Sequence, residues 1–247
     1  MIDRRRFLAG AGAGLLLPGT SLGFGQVTRV DVAELDLPGS FSRPSAWKRL
    51  LYEVESTTSV EVDGKVVRVK PDDPELFEHP FTVLMGQDAF EIDEAGVEQL
   101  GRYLAYGGFL YVDDTTGSDS SGFDDSVKRL ARRLFPTRPL APVPRDHSIY
   151  RSFFLIDRPV GRIDRQKRLD SVTVGNLAPL VYSRNDVSGA LERRENGSFV
   201  HACVPGGENQ RREALKLGIN LVLYSLTANY KRDQAHVVAL KNQGRLE

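Results

Sequence analysis

Cysteine is nearly missing from this chain: Cys203 is the only one in 247 residues. A lone cysteine cannot close an internal disulfide or build a cysteine-rich metal centre. It lies in the apolar run Phe199-Val-His-Ala-Cys-Val204, where a buried structural thiol is expected rather than a nucleophile. A charge surplus is missing too, since 33 basic side chains face 33 acidic ones. Leaving out residues 1–25, which hold three arginines and one aspartate, 30 basic and 32 acidic side chains remain. General nucleic-acid binding needs a basic excess to neutralise phosphates, so the balance argues against it. No segment has the ~20 unbroken apolar residues of a membrane span. Residues 26–247 also lack Gly-x-x-x-x-Gly-Lys-Ser/Thr, Gly-x-Gly-x-x-Gly, His-Glu-x-x-His and Gly-x-Ser-x-Gly. Phosphate-loop hydrolysis, Rossmann-type dinucleotide binding, zinc proteolysis and the serine-hydrolase elbow therefore lack support.

What is present begins with an address. Arg4, Arg5 and Arg6 precede Phe7 and Leu8, which fits the Arg-Arg-x-Phe-Leu twin-arginine pattern. A short apolar stretch over residues 9–17 follows, closed by Pro18, with small residues around Gly23 and Gly25. A charged head, a short apolar middle and a small-residue end make a cleaved export signal. The expectation is a signal over residues 1–25, recognised by the twin-arginine translocase and signal peptidase. It is followed by one α/β domain over residues 26–247, with a core at about 27–228 and a tail at 231–247. The mature form is expected to be extracytoplasmic, with no membrane span.

Along the chain, Val27–Leu37 reads as a strand, and Pro44 opens a helix through about Val54. Residues 59–62 and 65–69 flank Asp63-Gly64, which predicts a hairpin. Pro80–Gly86 reads as a buried strand. Asp93 caps a helix that the pair Gly107-Gly108 ends, and Phe109–Val112 is the next strand. Helical spacing recurs from Phe123 to Leu134, and Pro179–Tyr182 reads as a strand. Asn196-Gly197 suggests a second hairpin, and Glu208 to about Tyr230 a long helix. Alternating helices and short buried strands predict a three-layer α/β fold on a mostly parallel sheet, with antiparallel hairpins added at an edge.

In such sheets the ligand crevice lies beyond the C-terminal ends of the strands. That rule selects Gly86, the adjacent pair Asp113-Asp114, the loop around His147 and Tyr150, and Asn185-Asp186. Adjacent carboxylates after an apolar strand can bind a hard divalent cation or hold a base. They can equally cap a turn and face water. His147 beside Asp146 is suited to general acid/base work, or to fixing its own loop. Arg158, Arg162, Arg165, Lys167 and Arg168 form a solvated basic loop, or a dock for an anionic partner.

Trp47, Pro80–Gly86, Tyr103–Gly108, Phe109–Asp114, Phe135-Pro136, His147–Tyr150 and Tyr182–Asp186, in that order, resemble the domain of unknown function 4159 family. The likeness implies a class I glutamine amidotransferase-like, flavodoxin-like fold and work at the cell envelope. Amidotransferase-like folds carry a nucleophilic cysteine at a strand-to-helix turn. Here Asp113-Asp114 holds the comparable place, so a cysteine thioester mechanism is not expected. The leading expectation is an exported binding or accessory domain for a small polar ligand, a glycan or a partner segment. It would use Gly86, Tyr150, Asn185 and Asp186 beside Asp113, Asp114 and His147. The alternatives are a hydrolase using Asp113 or Asp114 with His147, metal-assisted or not, and an assembly factor acting through surface contacts. No cofactor is required by the sequence.

Overall fold

The computed structural model describes residues 29–118 and 120–242, with backbone only from residue 228. Residues 1–25, with Arg4, Arg5, Phe7 and Leu8, lie outside the described residues. Seven strands form one sheet in the order β2-β1-β3-β4-β7-β6-β5. They are β1 (Val30–Leu35), β2 (Val62–Val69), β3 (Phe81–Gly86), β4 (Phe109–Asp114), β5 (Ala141–Pro142), β6 (Asp170–Val174) and β7 (Leu177–Ser183). The first four and β7 run parallel, while β6 is antiparallel to both β7 and β5. This is the expected mostly parallel, three-layer flavodoxin-like architecture.

Side-chain alternation along the buried strands supplies two cores. Phe109 and Tyr111 of β4 face one core, together with α1 (Pro44–Thr57) and the long helix at the C-terminal end of the chain. Leu110 and Val112 face the other, with α2 (Glu94–Ala105) and α3 (Gly122–Leu134). Helix α2 starts where Asp93 accepts from the Gly96 amide, and α3 where Ser121 accepts from the Asp124 amide. A five-residue helix, α4 (Val187–Leu191), follows β7. The last helix, α5 (Gly207–Asn242), continues through most of the stretch read as a tail.

Two local expectations are corrected. Residues 62–69 form one strand, not a hairpin: β2 pairs in parallel with β1 on both sides of an insert, with Val30 opposite Val62 and Val32 opposite Val66. Asp63, Gly64 and Lys65 are taken up as a bulge, because parallel pairing with β1 buries more of Val66, Val67 and Val69 than a free hairpin can. The antiparallel hairpin is β6–β7, at the other edge, where Val174 pairs with Leu177 across Gly175-Asn176. Around Asn196-Gly197 the chain does fold back, closed by the Arg193–Phe199 bridge and by the Arg194 and Val200 amides, which donate to the Ser198 and Glu192 carbonyls, without extending into paired strands.

Candidate functional site

The strand order reverses between β1 and β3, which is where open sheets of this kind leave a crevice. Here the chain fills that crevice with its own β1–α1 loop. Ser40 bridges Gly86, and the Phe41 amide donates to the Met85 carbonyl at 2.8 Å. Gly86 is glycine for packing: a Cβ there would stand 2.4 Å from the Phe123 ring. Its carbonyl accepts from the Thr115 amide and hydroxyl.

Asp113 and Asp114 end β4 fully buried, and as neighbours on a strand they point to opposite faces of the sheet. They therefore cannot share one metal ion, which corrects the idea of a paired-carboxylate cation site. Asp113 accepts from the Val187 amide at 3.0 Å, the Ser188 amide at 2.8 Å and the Tyr111 hydroxyl at 3.2 Å. It thus anchors the start of α4. Burial, and then the neighbouring Asp186 carboxylate, push its pKa up to about 7. Asp114 turns to the other core. It accepts from the Thr116 amide at 2.7 Å, the Thr116 hydroxyl at 2.6 Å and the Tyr182 hydroxyl at 3.1 Å.

Each carboxylate is the seed of a buried network. On the first face, Asp186 stands in the left-handed region at φ 54° and caps α4 by accepting from the Gly189 amide at 3.0 Å. Arg43 donates to it at 2.5 Å, and Arg162 pairs with its other oxygen. Arg43 also reaches Ser188 and Glu192, while its own amide donates to the buried Glu34 at 2.8 Å. Burial raises the pKa of Glu34 against the bonds from Ser42 and Arg43. On the second face, Tyr182 joins Asp114 to Asp124, which Arg184 holds by two nitrogens at 2.9 and 2.7 Å. Burial works against the Asp124 charge, but Lys128 and Arg184 outweigh it and hold its pKa below the usual range.

Asn185 is buried and fully used. Its carbonyl oxygen accepts from the Arg165 and Gln166 amides at 2.9 and 2.7 Å, and its amide donates to Pro159 and Gln166 carbonyls. It thereby ties the arginine-rich loop to the end of β7. His147 is not brought to the strand-end acids. It caps a single helical turn at Ser148–Arg151 and packs on Tyr224, with ring centroids 5.5 Å apart. The Tyr224 hydroxyl accepts from the Ala178 amide near the start of β7, whereas Asp113 pairs with Ser183 at its end. Those two positions are about 16 Å apart at the rise of a strand. Burial pushes the His147 pKa down, which disfavours the charged ring. Tyr150, on the same turn, is turned to another partner than these acids; its hydroxyl accepts from the Leu169 amide at 2.9 Å. Cys203 is buried, and burial raises its pKa, as expected of a structural thiol.

The open space lies outside these networks, on the same rim. A cavity of about 760 Å³ opens between the 155–164 segment and the first turns of α5. Asp157, Asp164 and Glu213 line it with Arg158, Arg212 and Lys216. Gln210 fixes its wall, donating to the carbonyls of Gly161, Arg162 and Val204. No cluster of three or more metal-ligating side chains is present among the described residues. Arg43, Arg162 and Gln210 carry no motif in the sequence, because each acts on a distant partner or on a bare carbonyl.

A family model described as a domain of unknown function, DUF4159, matches residues 32–226. The chain belongs to the DUF4159 family. The matched span of the DUF4159 domain contains the whole sheet except the first two residues of β1, both carboxylate networks and the first turns of α5. None of the curated proteins matches this DUF4159 chain.

Proposed function

We propose that this protein is an exported cell-envelope binding or accessory domain that holds a small polar ligand, of the oligosaccharide class, at the strand-end rim. One observation carries the reading: the strand-end acids are consumed by the protein's own amides, hydroxyls and guanidinium groups, while the cavity beside them is open. Its volume is in the ~300–1,000 Å³ range of ligand pockets. Carboxylates and cations alternate around it, a lining that offers both acceptors and donors to sugar hydroxyls. The hydrolase alternative draws support only from the raised pKa of Asp113 beside Asp186, a feature that acid/base sites share.

The test is a ligand-dependent thermal shift with neutral and acidic oligosaccharides of two to four sugars. Stabilisation that Arg212→Ala and Asn209→Ala remove is the expected result; both residues line the cavity. No stabilisation by any of these sugars, or a shift that both variants retain, rejects the binding reading. Turnover of one of the sugars that Asp113→Asn abolishes in a folded protein would instead establish the hydrolase. Export rests on the sequence pattern at Arg4 and Arg5. Replacing both with lysine is expected to strand the precursor in the cytoplasm, and unimpaired export of that variant would refute the route.

A further inference from the structure

Between Arg145 and Arg168 the chain carries seven basic and three acidic side chains. Two of the seven are occupied inside the fold: Arg158 by Asp164, and Arg162 by Asp186. Arg145, Arg151, Lys167 and Arg168 have no carboxylate partner among the described residues. Instead they surround a second cavity, of about 210 Å³, with Asp157 as the one acid in its lining.

The gathering is imposed by the fold. The Tyr150 hydroxyl, at the cavity, accepts from the Leu169 amide at 2.9 Å and locks the 145–151 segment against the 167–169 segment. Asn185 holds the intervening loop from below through the Arg165 and Gln166 amides. Arg145 and Arg168 both bear electrostatically on the Tyr150 hydroxyl, which places cations from the two segments around one point. Four cations held round a hollow repel one another, and an anion between them relieves that repulsion. Three guanidinium forks and one ammonium match the oxygens of a tetrahedral, multiply charged anion better than a single carboxylate. At the rim Leu155 is 76% exposed, with Phe153 half-exposed nearby, so an apolar substituent on that anion would find a surface.

We propose that this cavity is an oxyanion site for a phosphate group, carried by a soluble molecule or by a lipid headgroup. It adjoins the mixed-charge cavity, sharing Leu155 and Asp157 with it, but its four cations lie outside that lining and the proposal does not depend on the function assigned there. The experiment uses the full chain with two probes. Inorganic pyrophosphate is titrated by calorimetry, and vesicles of phosphatidylglycerol are compared with vesicles of phosphatidylcholine by co-sedimentation. The expected result is pyrophosphate binding that weakens as salt rises and falls at least tenfold in Arg145→Glu/Arg168→Glu. Lys48→Glu, which makes a like charge reversal on α1 away from the cavity, should leave it unchanged. Arg145, Arg168 and Lys48 are exposed, so the variants are expected to fold. Co-sedimentation with phosphatidylglycerol alone, lost in the double variant and weakened by Leu155→Ser, supports the site with a headgroup as source. Pyrophosphate binding without co-sedimentation supports it with a soluble source. The site is overturned if neither probe binds, or if binding survives the double charge reversal or falls equally in Lys48→Glu.

Discussion

Asp113 and Asp186 show how two acids that look alike in sequence take different parts once folded. Asp186 faces two guanidinium groups and an amide, and its loss would leave Arg43 buried without its closest partner. Asp186→Ala is expected to cost about 3–5 kcal/mol, as breaking one side of a buried ion pair does, readable as a fall in the denaturant midpoint. Asp113 is held chiefly by amides and lies beside another acid, so its proton is bound more tightly in the folded state than in the unfolded one. A raised carboxyl pKa stabilises the fold fully below the unfolded value and ceases to do so as pH rises through the folded value. The contribution of Asp113 therefore falls between pH 3.8, where an ordinary aspartate titrates, and about 7. His79, raised mainly by its bond to Asp31, adds a loss in the same direction as pH climbs above 6.5. His147, lowered by burial, opposes both, since its contribution is lost as pH falls below 6.5. Thermal unfolding from pH 4 to 8 should flatten between pH 4 and about 7 in Asp113→Asn relative to the parent. An identical profile in the two proteins would show that Asp113 does not titrate there.

At the level of elements, two glycines decide geometry that no side chain advertises. Gly161 runs under the end of β7, and a Cβ on it would lie 2.0 Å from the Asn185 carbonyl oxygen. That neighbour is backbone and cannot rotate away, so Gly161→Ala must push the 159–166 loop outward and loosen Arg162 from Asp186. Overpacking of this kind costs roughly 1–3 kcal/mol, and hydrogen exchange at the Arg162 and Ile163 amides should rise with it. Gly175 has open space around it but a φ of +62° at the two-residue β6–β7 turn. Gly175→Val should destabilise by roughly 1–2 kcal/mol through backbone strain, while Gly175→Asn should be nearly silent in a melting experiment. The Gly-Asn pair was a hairpin signal open to reading from the sequence, as Asp63-Gly64 was. Which one turns was decided by pairing: β2 finds a parallel partner in β1 on both sides of its Asp63–Lys65 bulge, and β6 finds only β7 and the two-residue β5.

For the whole molecule, the layered sheet explains where binding can occur. The reversal point between β1 and β3 is closed by the chain's own Ser40 and Phe41, so the usual crevice of such folds is spent on stability. What stays open is the outer rim, built by the 145–168 segment against α5. Gln210 is the clamp between them, donating from one nitrogen to three carbonyls. Gln210→Ala should leave the sheet intact, with far-ultraviolet circular dichroism unchanged. It should raise protease sensitivity between residues 155 and 164 severalfold, and equal cleavage in both proteins would show that the rim is held by other contacts.

The sequence by itself determined the layers. Runs such as Phe81–Met85 and Phe109–Val112 have no solvent face, so they had to become central parallel strands, and the spacing of Val97, Leu100 and Leu104 had to cover them. It also marked Asp113, Asp114, Asn185 and Asp186 as residues at the strand ends. Tertiary structure alone decided what those residues face. A carboxylate that opens onto solvent and one that is closed over by an arginine from 143 positions away have the same local sequence. Only the return of distant segments over the rim separates them, because the energy of a charge depends on what surrounds it in space rather than along the chain.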